Sequence, residues 1–203
     1  MVFKSLNKAL ETPDQASALV LRQKNLTEIP EETHQLENLE TLEIFSDKLE
    51  KIAPSIALHA NLQILKINSE SLTEIPSEIF LLPKLRVLTI KNGSLSSFPD
   101  IKNDNFSLER LSINNAGLCE LTSSLAKLKA IKMLSLSGNQ LSELPKSIVG
   151  LGSLNWLDLD RNNFSVMPEV LTELKALTHL SLDNNPFSAD EKSRIQKVLS
   201  IWF

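Results

Sequence analysis

A single cysteine, Cys119, is all the thiol chemistry in this 203-residue chain. One thiol cannot close an internal disulfide, so the fold does not rely on an oxidising compartment. The five glycines are scattered singly, and no phosphate-cradling loop, Ser-His-Asp elbow or metalloprotease pattern is present. No window approaches the roughly 18 apolar residues of a membrane span. Lys4 and Lys8 interrupt the first residues and leave no apolar stretch of signal-peptide length, so the default expectation is a cytoplasmic protein. Basic clusters are also missing. Lysines and arginines are spread singly and the net charge is −4, whereas nucleic acid and anionic membranes both reward clustered cations. These absences point away from an enzyme, a nucleic-acid binder and a membrane protein, and no cofactor is expected.

What is present is a repeat. Hydrophobic residues make up 42% of the chain and charged residues 23%, the composition of a folded domain rather than a disordered one. Laid in register, the leucines give turn starts at Ala16, Leu39, Leu62, Leu85, Leu108, Ile131, Leu154 and Leu177, each 23 residues after the last. Positions 1, 4, 6 and 11 of each turn are apolar, and so is position 14 of the first seven, as in Leu62, Leu65, Ile67, Leu72 and Ile75 of the third. Alternation at positions 4 and 6 has period two and puts both side chains on one face of a short strand. Eight stacked turns then make a parallel sheet roughly 38 Å long. Pro30, Pro76, Pro99, Pro145 and Pro168 share the slot after position 14. Proline fixes φ and donates nothing to a ladder, so the return arms should be extended or tightly turned rather than long α-helices. Return arms bulkier than strands bend the stack, with the sheet on its concave side.

Residues Leu154 to Leu174 read L-x-x-L-x-L-x-x-N-x-F-x-x-M-P-x-x-L-x-x-L, and the sixth turn carries Leu144-Pro145-x-x-Ile148-x-x-Leu151. The chain resembles the leucine-rich-repeat family, in its 23-residue class, over residues 16 to about 187. It looks most like compact bacterial members, and also like the Ras-suppressor type of eukaryotic repeat. The resemblance implies an α/β solenoid: an arc of eight turns with a parallel concave sheet, short irregular or 3-10 convex arms, and helical caps at both ends. It implies a protein-recognition scaffold rather than a particular partner. Departures from the pattern are informative. The family's asparagine at position 9 is present only as Asn139, Asn162 and Asn185. His59 stands where leucine is expected, and Asp100 to Phe106 is polar across the fourth return arm. The N-terminal half should be the looser one, with an irregularity at residues 100–107.

The domain plan is an N-terminal cap over residues 1–15, eight repeats over 16–187 and a C-terminal capping helix over 188–203. Phe3, Leu6 and Leu10 fall at helical spacing ahead of Thr12-Pro13. Ser188-Ala189-Asp190-Glu191 has capping-box form, and Ile195, Val198, Leu199 and Trp202 follow at helical intervals. This stripe reads as a lid on the last turn.

Positions 3, 5, 7 and 8 of each turn should form the outward, concave surface. Position 3 reads Ala18, Thr41, Ile64, Val87, Arg110, Met133, Trp156, His179, and position 7 reads Arg22, Phe45, Asn68, Lys91, Asn114, Ser137, Asp160, Asp183. Ile64 and Val87 fit strand propensity as well as contact. Trp156 is the strongest contact candidate, because indoles are over-represented in binding hot spots. The expected site is Arg110, Met133, Trp156 and His179 with an acidic rim of Asp158, Asp160 and Asp183. In this reading Met133 packs on one face of the indole, His179 offers a polar edge, and Arg161 supplies a counter-charge to the acids. The rim favours a basic or mixed-charge protein ligand over a bound cation, since three carboxylates are few for calcium. His34 and His59, on neighbouring return arms, lack a further ligand at metal spacing. The alternative is a self-associating or structural solenoid, paired through a lateral edge or an imperfect cap, with no concave ligand.

Overall fold

In the computed structural model, which describes residues 1–199, all strands join one parallel sheet in sequence order. They are β1 (Val2–Phe3), β2 (Ala18–Arg22), β3 (Thr41–Phe45), β4 (Ile64–Asn68), β5 (Val87–Lys91), β6 (Arg110–Asn114), β7 (Met133–Ser135), β8 (Trp156–Asp158) and β9 (His179–Ser181). From β2 onward every Cα partner lies one turn away, as in Ala18↔Thr41 and Trp156↔His179. The columns read from the sequence are therefore physical rows across the sheet. Leu19, Leu42, Leu65, Leu88, Leu111, Leu134 and Leu157 form the position-4 row and are all buried, and Phe98 and Phe164 are the bulkiest side chains fully enclosed.

Beyond the eight expected strands there is a ninth. Val2 and Phe3 pair with Ala18 and Leu19, so Phe3 belongs to a strand and not to the capping helix, which is α1 (Leu6–Glu11). Its helical spacing to Leu6 is coincidental: the N-terminal ammonium binds the Gln15 carbonyl at 2.7 Å and the Ser17 hydroxyl at 2.8 Å, which pulls the first residues onto the sheet edge.

The return arms carry five-residue 3-10 helices at Glu31–Gln35, Pro54–Leu58, Ser77–Leu81, Ser123–Lys127, Lys146–Gly150 and Glu169–Glu173. Proline takes the N-cap in four of them (Pro30, Pro76, Pro145, Pro168), where its fixed φ suits the entry and its missing N–H costs nothing. The fourth arm has no helix. There, Asn105 bridges to Leu128, and its amide donates to the Phe80 carbonyl at 2.9 Å while accepting from Leu108 N at 2.8 Å.

Two devices tie adjacent turns where the strands end. In turns 6 to 8 the position-9 asparagines are buried. The Asn162 amide nitrogen donates to the carbonyls of Leu136, Leu159 and Asp160, and its oxygen accepts from Leu141 N. In turns 2 and 3 the serine at position 8 turns inward: Ser46 Oγ donates to Leu26 O at 2.6 Å and Ser69 Oγ to Leu49 O at 2.8 Å. Position 8 is thus buried in these turns and not outward as expected. From turn 4 onward it is left-handed, with Asn92, Asn115, Gly138, Arg161 and Asn184 at φ 60°, 52°, 72°, 51° and 59°. Asparagine and glycine visit that region readily, whereas a long side chain does so at a cost of about 1 kcal/mol. Arg161→Asn is accordingly expected to stabilise the fold by about 1 kcal/mol, or less after loss of the side chain's own contacts. Chemical unfolding measures it, and an unchanged or lower midpoint would remove the strain.

At the C-terminus, α2 (Ala189–Leu199) covers the last turn through Ile195, which is fully buried. Ser188 Oγ accepts from Glu191 N at 3.1 Å, but Glu191 does not return the bond as a capping box would. Its carboxylate instead accepts Met167 N at 2.7 Å and a two-pronged contact from Arg194. Arg194, and then the Met167 amide, hold its pKa down to about 2. Val198 is exposed rather than part of the lid. Trp202, with Ile201 and Phe203, lies outside the described residues.

Candidate binding surface

The expected contact residues share the C-terminal half of the sheet's open face. Met133, Trp156 and His179 are Cα partners in one row, continued by Arg110 on β6. The Trp156 and His179 rings stack face to face, 5.1 Å between centroids and 3° from parallel. The imidazole therefore covers one face of the indole and does not present an edge to it. Adjacent strands bring the rings to stacking distance without bending the backbone, and a part-buried indole results.

The acids are held by hydrogen bonds. Asp158 Oδ1 accepts from Asp160 N at 3.0 Å, and the Ser135 hydroxyl lies 2.9 Å from both Asp158 Oδ2 and Asn114 Oδ1, so its one proton is shared between them. Asp160 Oδ1 accepts from the Ser181 hydroxyl and, at 2.8 Å, from Asp183 N. Asp183 is exposed. Arg161 does not supply the counter-charge: its guanidinium donates back to Ser137 Oγ at 3.3 Å, which helps bury Ser137. Among the described residues no three His, Cys, Asp or Glu side chains converge in a way that would hold a metal ion.

A second feature of the open face lies in the N-terminal half, where the sequence reading placed no site. A hollow of about 320 Å³ is lined by Glu43, Phe45, Lys66, Asn68, Thr89 and Lys91. The Arg22 guanidinium sits 3.8 Å over the Phe45 ring, Lys66 Nζ meets Glu43 at 2.7 Å, and Asn92 Nδ2 donates to Asn68 Oδ1 at 2.9 Å. Opposite charges in adjacent turns of column 5 and an aromatic beside a cation in column 7 were the signal for it.

Elsewhere, Phe106 is 74% exposed on the lateral edge, beside Lys84, Arg86 and Glu109. The same slot in neighbouring turns holds Pro83 and Lys129. Glu109 bridges Arg86 at 2.9 Å and Lys132 at 3.4 Å, and these cations, Arg86 foremost, hold its pKa below the usual carboxylate value. His34 and His59 do meet, edge to face at 4.7 Å. His59 is buried, and among the described residues neither ring nitrogen has a hydrogen-bond partner. Cys119 is exposed and free.

The leucine-rich repeat region family matches residues 98–200, half of the chain. The chain belongs to this family. Solved leucine-rich-repeat relatives share its shape. An internalin (inlF) of Listeria monocytogenes superposes with TM-score 0.71 at 19% identity over 96% of this chain and 62% of its own. A plant peptide hormone receptor, RGFR1, solved in complex with RGF2, gives 0.65 at 24% over 83% of this chain and 31% of its own. A TDR receptor gives 0.65 at 32% over 83% and 30%. The leucine-rich-repeat chain thus spans about three-fifths of the internalin and less than a third of the receptors. No curated protein sequence is similar to it. Among the described residues no helix is long and apolar enough to cross a membrane.

Proposed function

We propose that the protein is a recognition module whose protein ligand lies across the concave face, with Arg110, Met133, Trp156, Asp158, Asp160, His179 and Asp183 making the principal contacts. The observation that carries this reading is the Trp156–His179 stack. It is an aromatic platform on the open side of the sheet, away from the core that Leu154, Leu157 and Leu159 build. Folding gains little from an indole there, so its presence is best explained by contact with something else. Arg161 adds weight: a strained backbone persists beside the acidic rim, and strain of that kind concentrates at binding sites. The ligand is a basic or mixed-charge protein rather than nucleic acid or membrane. A bacterial host-interaction or intracellular scaffolding role fits, and RGFR1 shows that a relative of this shape is found in complex with another molecule.

The test is to isolate a partner and compare variants against it. Trp156→Ala should weaken binding by about 2 kcal/mol or more, and Asp160→Asn with Asp183→Asn should weaken it at low salt and less at high salt. Both variants binding as tightly as wild type while folded would move the site elsewhere.

One observation favours a second reading, self-association. Phe106 is exposed at a turn that breaks the repeat rule, and its neighbours carry both signs of charge. That reading predicts a concentration-dependent dimer by sedimentation, lost in Phe106→Ala. A wild-type chain that stays monomeric at its solubility limit removes it.

A further inference from the structure

The outward side chains of the sheet are sorted by charge along the stack. Positions 3, 5 and 7 of turns 1 to 5 carry Arg22, Lys66, Lys91 and Arg110 against one acid, Glu43, which Lys66 contacts. The same positions of turns 7 and 8 carry Asp158, Asp160 and Asp183 and no lysine or arginine. Between them turn 6 offers Met133, Ser135 and Ser137, crossed by the Arg161 guanidinium. Among the described residues neither Lys91 nor Arg110 makes an ion pair, and no cation pairs with the three aspartates.

Lys91, Asp160 and Asp183 share column 7, three and four strands apart. That is roughly 14 and 19 Å at the ordinary strand spacing, beyond the ~8 Å screening length of physiological salt. The two ends therefore act on a ligand separately. A uniformly basic ligand gains at the aspartates and loses at the lysines, and a uniformly acidic one does the reverse. Only a ligand whose charges are sorted in the opposite sense gains at both. An extended chain covers roughly 14 Å in four residues and 19 Å in six. Both spacings are even, so the side chains that meet Lys91 and the aspartates leave the ligand on the same face. The aromatic platforms, Phe45 under Arg22 and Trp156 under His179, lie within the same track.

We propose that the ligand of the concave face is an extended polypeptide segment laid across the strands, acidic over turns 1 to 5 and basic over turns 7 and 8, with its acid and base four or six residues apart. This rests on the concave-face reading above and gives it a polarity.

A phage-displayed library of random linear peptides, selected on the full chain, tests it. Enriched peptides are then synthesised and titrated calorimetrically against wild type, Trp156→Ala, Lys91→Glu, Asp183→Lys and the Lys91→Glu/Asp183→Lys double variant. Lys91 and Asp183 are exposed, and unchanged melting curves establish that the variants fold. Peptides with acid and base at the stated spacing are expected. Each single reversal should weaken them about tenfold, and the double variant should prefer peptides with acid and base exchanged. Peptides that need Trp156 but show no sorted charge, or ignore both reversals, overturn the polarity and leave the concave site standing. A library that yields no Trp156-dependent binder overturns both.

Discussion

Replacing His59 by leucine is expected to stabilise the protein, and to do so most at acid pH. The side chain occupies the return-arm slot held by Leu36, Leu82, Leu128, Leu151 and Leu174 in other turns, and it is 6% exposed. Among the described residues neither imidazole nitrogen finds a partner, and an unsatisfied buried polar group costs about 1–3 kcal/mol. Leucine fills the same slot without that cost. Charging the ring is worse: burial, reinforced by the neighbouring His34, lowers its pKa from 6.5 to about 4. The sign follows from linkage. As pH falls below 6.5 the unfolded chain takes up a proton that the folded chain refuses. The stability of the neutral buried form is therefore full above that pH and is lost progressively down to about 4. A difference of this size amounts to about 3 kcal/mol. Denaturant unfolding of wild type and His59→Leu between neutral pH and pH 4 measures it. Parallel pH profiles for the two proteins would show that His59 is not the group responsible, and a variant less stable at neutral pH would show that the ring is satisfied after all.

His59 also illustrates what the sequence could and could not show. That it interrupts a leucine column was legible at once, because register fixes the column. That its nitrogens would be orphaned was not, since partners depend on side chains from adjacent turns. The same division holds elsewhere. The position-4 and position-6 rows, the proline-led return arms and the irregular fourth arm follow from period and proline chemistry, which are local. Phe3 takes on a helical spacing in the sequence because a two-residue strand has no period to read, and its pairing is set by the N-terminal ammonium, 16 residues from Ser17. Strict column logic points Ser46 and Ser69 outward. The chain instead turns them inward to do the work that asparagine does in turns 6 to 8. At the candidate site, the row Arg110–Met133–Trp156–His179 followed from register alone. Ring geometry did not: whether His179 stacks or offers an edge is a rotamer choice. Proximity in sequence pairs Arg161 with the aspartates, but its left-handed backbone sends the side chain towards the preceding turn.

The largest loss of stability is expected from Asn162→Ala. Asn162 is 4% exposed and sits where turns 6 and 7 meet. Its amide nitrogen serves Leu136 O of turn 6 and Leu159 O of its own turn at 2.9 and 3.0 Å, with Asp160 O at 3.1 Å, while its oxygen takes Leu141 N at 3.1 Å. These backbone groups lie at the curve where the strand ends, and among the described residues no other acceptor serves the Leu141 N–H there. Truncation to alanine leaves the buried Leu141 N–H unpaired, while Leu136 O keeps Asn139, Leu159 O keeps Asn185 and Asp160 O keeps Gly138 N. At about 1–3 kcal/mol for the orphaned N–H, with the three amide bonds lost besides, the expected cost is about 2–4 kcal/mol. Ser69→Ala, by contrast, removes a single hydroxyl bound to Leu49 O, with a further contact from Ser71 N, and should cost about 1–2 kcal/mol. The two substitutions should also differ in reach. A solenoid is held by nearest-neighbour interfaces, and Asn162 joins both the turn-6/turn-7 interface and, through Leu159 O, the one that Asn185 uses on the other side. Hydrogen exchange resolves this. In Asn162→Ala, protection should fall across residues 131–185 together, while turns 1 to 4 keep theirs. In Ser69→Ala the loss should stay within turns 2 and 3. A loss in Asn162→Ala confined to the amide of Leu141 would mean that the asparagine ladder caps each turn separately and does not couple them.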